Sequence, residues 1–415
     1  MALSSPGTGI PLAVTEPASR PARGLLPLLL LGNTAMYALY IGVPGVLLAL
    51  QIEHIDAAHK VADFGLVSGV SAIFATVFNP VAGALSDRSG RRNPWILGGG
   101  LLALPVMLLL GAVHTLLLVT ILWCLGQAVL NVYQAALTSV VPDRVPLSAR
   151  GRASAAVGLG LPFGSTVGAL LGAAFSDHYR TGYLVFGALI AVAAVVFTAG
   201  TREERRPAKA PLPLARQLAA FTGALHDHDF RWAFIGRALL VLGYFSVAGY
   251  QLYILQDHTH LPAGLSPEHA VAVLTPVNAV AMVVSTVLGG WLSDRHDRRK
   301  LFVGASAALS AVALIIPAVS PSWPAMIAFA VVNGLGFGCY MAVDTALVTL
   351  VLPKAEDAAR DMGVLNVANA GPQIVAPFAA SLIVSASGGY TALFLAGAVL
   401  SVLGALAVRP IRSVR

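Results

Sequence analysis

Charge is scarce in this chain. Of its 415 residues, 11% are Asp, Glu, Lys or Arg and 57% are apolar. A soluble domain carries about 25% charged and about 45–50% apolar residues. With a mean hydropathy of +0.79, the composition excludes an ordinary water-soluble globule. Cysteine is nearly absent. Cys124 and Cys339 each sit in an apolar run, without a second Cys or His at ligand spacing, which excludes a disulfide framework and a Cys/His metal centre. Both read as packing residues. No GxxxxGK[ST] loop occurs, so direct ATP-driven pumping by this chain is unsupported. There is no nucleophile–base set and no metal cluster. An enzyme is therefore not expected, and neither is a cofactor.

What the chain does have is a series of apolar runs of about 20 residues, the length that crosses a bilayer as a helix. Twelve are expected, at roughly 25–50, 64–86, 94–113, 116–141, 152–176 and 182–200, then 232–255, 268–292, 301–319, 324–352, 362–386 and 389–408. The 41 Gly and 25 Pro are tolerable in such helices, where neighbours re-satisfy freed backbone groups. Residues 1–23, rich in Pro, Ser and Ala, read as a disordered cytoplasmic tail. The apolar run after Arg23 is too long for a signal-peptide core and lacks a small-x-small cleavage site.

The basic residues test this count independently. With the N-terminus inside, 23 of the 26 Lys and Arg fall in cytoplasmic segments; Lys60 and Arg180 lie on the far side and Arg237 within a span. That bias fits the positive-inside rule and requires an even number of crossings. The formal charge of +7 thus reflects membrane orientation and not nucleic-acid binding. The expected address is the plasma membrane, multi-pass, with both termini cytoplasmic. The longest cytoplasmic segment, 201–231, divides the spans into bundles at 24–200 and 232–408, with a short tail at 409–415.

Two stretches repeat. GALSDRSGRR (83–92) and GWLSDRHDRR (290–299) share seven of ten letters and follow spans 2 and 8. A duplicated six-helix unit explains this spacing, and paired repeats with a solute site between them are a transporter architecture. Gly83 and Gly290 stand one helical turn before Asp87 and Asp294, where a missing side chain lets another helix approach. A carboxylate at the membrane edge can accept from the exposed N–H groups of an opposing helix start.

The motif G-x-x-x-D-R-x-G-R-R between spans 2 and 3, in a chain of twelve spans in two halves, resembles the major facilitator superfamily. Gly83, Asp87, Arg88, Gly90, Arg91 and Arg92 match without a departure, and the second copy departs once, at Asp297. The resemblance implies an all-α membrane protein with 12 transmembrane helices in two pseudo-symmetric six-helix bundles. It also implies gating roles for Asp87, Arg88 and Arg91, and for Asp294, Arg295 and Arg298. In that reading Asp87 meets the start of span 11, near Asp361 to Val364, and Asp294 meets the start of span 5, near Arg152 to Ser154. Arg92 and Arg299 read as topological anchors.

Polar residues fall in stripes on every third helix. Span 1 carries Asn33, Tyr37, Tyr40 and Pro44 on one face, and span 4 carries Gln127, Asn131, Gln134 and Thr138. Span 7 carries Arg237, Tyr244 and Gln251, and span 10 carries Asn333, Tyr340 and Asp344. Polar groups are costly in lipid unless they face protein or water, so these helices are expected to line a shared aqueous cavity. Family resemblance assigns the same four. Span 11, with Asn366, Asn369 and Gln373, breaks the rule. Arg237 and Asp344 are the charges deepest in the spans, about 9 and 13 Å from the cytoplasmic side at about 1.5 Å per residue. They are expected to pair, and Asp344 is the candidate proton carrier. No His lies well inside a span, which argues against a histidine relay. GLGLPFGSTVGALLG (158–172) reads as close helix packing and not as a nucleotide loop.

Two details bear on subfamily. The Arg in span 4 and the G-P-x-x-G-G run in span 5 of drug/proton antiporters are missing here. RSGRRNPWILGG (88–99) and NVYQAALTSVVPD (131–143) resemble runs of glycoside and sucrose carriers, although the span 1 acid of the plant sucrose carriers is missing. The expectation is a proton-coupled secondary transporter of a sugar-like polar solute, acting as a monomer. Efflux of an amphipathic compound is the alternative, and a passive facilitator or a transporter-like sensor is the reading from another class. The partners are then a small-molecule solute, protons and the lipid bilayer, with no nucleic acid.

Overall fold

The computed structural model describes residues 24–203, 225–296, 298–350 and 358–412. The expected N-terminal tail, most of the central linker and Asp297 lie outside them. Twelve long helices, with shorter helical segments between them, occupy the described residues. They are α1 (Leu25–Ile55), α2 (Lys60–Ser89), α3 (Asn93–Ala112), α4 (Leu116–Arg144), α5 (Arg150–Ala174) and α6 (Tyr179–Gly200). The second set is α7 (His228–Ala248), α8 (Pro267–His296), α9 (Arg299–Val319), α10 (Trp323–Leu350), α11 (Ala358–Ser387) and α12 (Thr391–Ala407). Eleven are long and apolar enough to cross a membrane, and α12 is an apolar helix of 17 residues.

The neighbour pattern is itself two-fold. In the first six, α1 packs on α5 and α6, α3 on α4 and α6, and α2 on α4. In the second six, α7 packs on α11 and α12, α9 on α10 and α12, and α8 on α10. Adding six to each number of the first set yields the second. The contacts between halves, α2 with α11 and α5 with α8, exchange under the same operation. Apolar side chains such as Leu102, Leu109, Val192, Val312 and Val399 are exposed on α3, α6, α9 and α12, as helices on a lipid-facing rim require.

Local chemistry breaks α1 and α7 at matching places. Pro44 has no N–H to donate, and α1 absorbs the loss in a π-helical turn, Val43–Leu47. In α7 the helix stops at Ala248, and a new segment, Gln251–Asp257, continues toward the loop.

The halves meet at the end away from the arginine clusters and part near them. On the far side a Cβ at Gly65 would lie 2.5 Å from Ser381, and one at Gly69 would lie 2.3 Å from the Phe378 ring. Toward the basic end, Gly83, Gly158 and Gly371 have open space at the same test. The bundles are thus in close contact at the far end and looser at these positions toward the basic end, where the cleft between them is placed.

Candidate functional site

The cleft side of the first bundle is built on α1 and α4. Tyr40 donates to Gln134 Oε1 at 3.3 Å, and both are half-buried, as are Tyr37 and Gln127. Asn33 does not join them. It is 1% exposed, its amide returns to Leu29 O at 2.8 Å, and Gly160 of α5 presses against its Cβ. Asn131 is also buried; it accepts from Asn79 of α2 at 2.8 Å and donates to Gln127 O. Asn131 thus ties α4 to α2, while the Asn33 amide bonds only within α1, and both are closed to a solute in this conformation.

In the second bundle Tyr244 stacks on Phe337 of α10 with ring centroids 3.9 Å apart, and its ring meets Phe245 edge-on at 5.2 Å. Gln251 opens the segment beyond the break in α7 and is half-buried. Arg237 and Asp344 meet: Nε donates to Oδ2 at 2.6 Å, and Nη2 lies 2.5 Å from the same oxygen. Both are almost fully buried, and the Tyr340 hydroxyl adjoins both. Pairing cancels the two charges, so α7 and α10 offer the cleft aromatic and neutral surface. Asn366 and Gln373 of α11 are exposed.

The basic end is organised differently from expectation. Arg92, read as an anchor, is the hub of the first motif. Its Nε donates to Asp143 Oδ2 at 2.9 Å, and its Nη groups reach Ser86 and Asp87. Burial works against its charge, but the carboxylates of Asp87 and Asp143 outweigh that and hold the guanidinium above its ordinary pKa. Glu203 accepts from the backbone N–H groups of Arg92 and Asn93 at the start of α3, where an anion is favoured. It also pairs with Arg144 at 2.6 Å. Asn93 donates to Thr201 and accepts from Arg144. One polar network therefore staples the basic ends of α2, α3, α4 and α6. Asp143 and Glu203 stand 51 and 111 positions from Arg92, so nothing local in the sequence marked them as its partners.

Arg88 and Arg91 are exposed. Asp294 bonds Arg299 within its own motif at 3.2 Å and is 68% exposed, so it does not meet the start of α5 here. The side chains of 361–363, the expected partners of Asp87, lie outside the described residues. Arg295 lies over the Trp291 ring at 5.2 Å, and Arg298 is exposed.

Arg92→Ala removes the guanidinium that Asp143, whose side chain is 9% exposed, accepts from. A loss of about 2–3 kcal/mol is expected, on the scale of breaking a buried pair. Thermal unfolding in detergent should show it. Arg92→Lys should recover only part, since one ammonium cannot replace a planar fork with three partners.

Comparisons with known proteins agree with this geometry. The sequence matches the profile of the Major Facilitator Superfamily over residues 28–267 and 254–414. It is 27% identical over 192 residues to the MFS transporter asaE of Aspergillus flavus, covering 46% of this chain and 41% of that one. It is 27% identical over 149 residues to the multi-drug resistance efflux pump PmrA of Streptococcus pneumoniae, covering 34% of this chain and 36% of the pump. The matched stretches thus span well under half of these relatives. Among solved structures, a peptide transporter in complex with sulfate superposes with a TM-score of 0.75 at 14% identity, over 95% of this chain and 96% of the other. A bacterial homolog of the human lysosomal transporter Spinster, solved inward-facing and unoccupied, superposes with a TM-score of 0.68 at 16% identity, over 94% and 95%. With the family profile covering nearly all of the chain and the fold matching end to end, this chain belongs to the major facilitator superfamily.

Proposed function

We propose that the chain is a proton-coupled secondary transporter that carries an uncharged, hydrogen-bonding organic solute, of the sugar-like class, by alternating access. Residues 24–200 and 232–408 are taken as the two rocking units, and the basic end as the cytoplasmic face of the plasma membrane. The observation that carries the solute class is the neutrality of the cleft walls. Tyr37, Tyr40, Gln127 and Gln134 of the first bundle and Tyr244 and Gln251 of the second are all uncharged and half-buried, while Arg237 and Asp344 pair with each other. A solute with a net charge would meet no free countercharge among these groups, whereas hydroxyl and amide partners suit a polyhydroxylated one.

Asp344 supplies the coupling in this reading. Protonating its carboxylate removes the countercharge of Arg237, whose guanidinium must then find another partner, and the solute or a shifted Tyr340 provides one. The asymmetry of the bundles favours this assignment, since α1 and α4 carry charged residues only at their ends, at Glu53, Asp143 and Arg144.

A second reading, export of an amphipathic compound, has its own support. The Tyr244–Phe337 stack offers a flat aromatic surface, and one curated relative is a multi-drug efflux pump. The run that resembled sugar carriers speaks less for uptake than it did. Asn93 and Trp95 in it are bonded to Thr201 and Ser89 at the basic end, and Asp143 to Arg92.

The deciding measurement uses proteoliposomes with an imposed proton gradient and a panel of sugars and amphipathic dyes. Accumulation of a sugar about ten-fold above its equilibrium level on the proton-receiving side supports uptake. Dye moving against the proton flow replaces it with export. Equal flux with and without the gradient leaves a facilitator.

A further inference from the structure

At the far end of the cleft, opposite the motif arginines, one lysine joins both bundles. Lys60, the first residue of α2, donates from Nζ to Glu53 Oε1 at 2.9 Å, to Gln256 Oε1 at 3.1 Å and to Asp257 Oδ1 at 3.0 Å. Glu53 belongs to α1; Gln256 and Asp257 belong to the segment beyond the break in α7. Gln256 also donates to Glu53 Oε2 at 2.9 Å, and Tyr390, before α12, donates to Asp257 Oδ2 at 3.1 Å. The Lys60 ammonium lies 4.9 Å over the Tyr253 ring, whose hydroxyl donates to Ala49 O of α1 at 2.8 Å.

We infer that Lys60 and Asp257 form a releasable latch that holds the far end shut and sets how often it opens. Two features distinguish it from a fixed structural pair. First, its bonds run between the bundles, so they must break whenever the halves part at this end. The Arg237–Asp344 pair, by contrast, lies wholly in the second bundle and is untouched by such a motion. Second, every charge keeps a partner after separation. Lys60 leaves with Glu53 in the first half, and Asp257 leaves with Tyr390 in the second. Stranding a partly buried charge would make opening prohibitive; these retained partners remove that obstacle. The latch side chains are between 13% and 38% exposed, so the ion pair is neither fully screened nor locked in a dry core.

The inference rests on alternating access but not on the solute, and its test needs no solute. Spin labels are placed at Ala57 and Ala263, both exposed and one in each half, and their distance distribution is measured in lipid nanodiscs. Lys60→Met and Asp257→Asn should each enlarge the long-distance population about five-fold, the scale of one partly exposed ion pair. Asp257→Asn keeps the side-chain volume and so reports even if Lys60→Met folds poorly. Tyr390→Phe should move the other way and shrink that population, because it removes the partner Asp257 needs once opened. Unchanged distributions in Lys60→Met and Asp257→Asn overturn the latch. So does a Tyr390→Phe variant that opens as widely as they do, since any loosened contact would then open this end.

Discussion

Asp344→Asn loses proton-driven accumulation by at least about ten-fold, while exchange of solute down its own gradient persists. The expectation follows from placement. Asp344 is 2% exposed and Arg237 4% exposed, and the deep interior of a transmembrane bundle holds such charges only when they are paired. A side chain that cannot take up a proton cannot couple solute movement to one. The substitution also has a structural cost. It leaves the guanidinium of Arg237 without a countercharge, which costs about 3–5 kcal/mol when one member of a buried pair is removed.

That cost must be separated from the functional effect, and a double substitution does so. Arg237→Met with Asp344→Leu replaces both charges by apolar groups of similar size. Such exchanges are often neutral or stabilising, so thermal unfolding should return to the wild-type range. If the pair serves coupling, accumulation stays lost in the refolded double variant. A double variant that accumulates solute like the parent would show the pair to be structural and would remove Asp344 from the coupling role. Measuring both unfolding and accumulation distinguishes the cases in one set of samples.

The sequence was most informative where a physical requirement acts along one helix. The bilayer imposes apolar length, the positive-inside rule imposes alternation, and both could be read before any contact was known. The meeting of Arg237 and Asp344 could be anticipated because two deep charges in lipid have few alternatives to each other. Groups assembled from distant segments were less legible. Lys60 and Asp257 are 197 positions apart, and nothing local marks them as partners. Lys60 was visible only as one of two cations on the wrong side of the charge bias. Asn33 shows a different failure. Its spacing with Tyr37 and Tyr40 is correct for one helical face, but α5 comes so close, with Gly160 against Asn33 and Gly164 against Tyr37, that the short Asn33 side chain is covered while the longer tyrosines stay half-buried. Periodicity identifies a face and does not say how far a neighbour extends across it. Arg92 was underrated for a related reason: its partners Asp143 and Glu203 come from the ends of other helices.

Gly168→Val abolishes assembly of the first bundle. Gly160, Gly164, Gly168 and Gly172 recur every four residues on α5, and that stripe lies on α1. A Cβ at Gly168 would sit 2.4 Å from Ala38 O and 2.9 Å from Gly42 N. Both are backbone atoms, so no side-chain rotation relieves the clash, and the helices must separate. Gly42 is just as constrained, with Gly168 O 2.5 Å from its own would-be Cβ. Small residues that let backbones approach are what hold transmembrane helices together, since lipid supplies no hydrophobic drive between them. Forcing the pair apart costs upward of about 3 kcal/mol. Gly158 on the same helix has nothing within 4 Å, and Gly158→Val is the matched control. In fluorescence-detected size-exclusion chromatography the Gly168 variant should aggregate or vanish, while the Gly158 variant elutes as the parent does. Equal profiles for the two would mean that α1 and α5 have slack the contact geometry denies, and the packing origin of the first bundle would have to lie elsewhere.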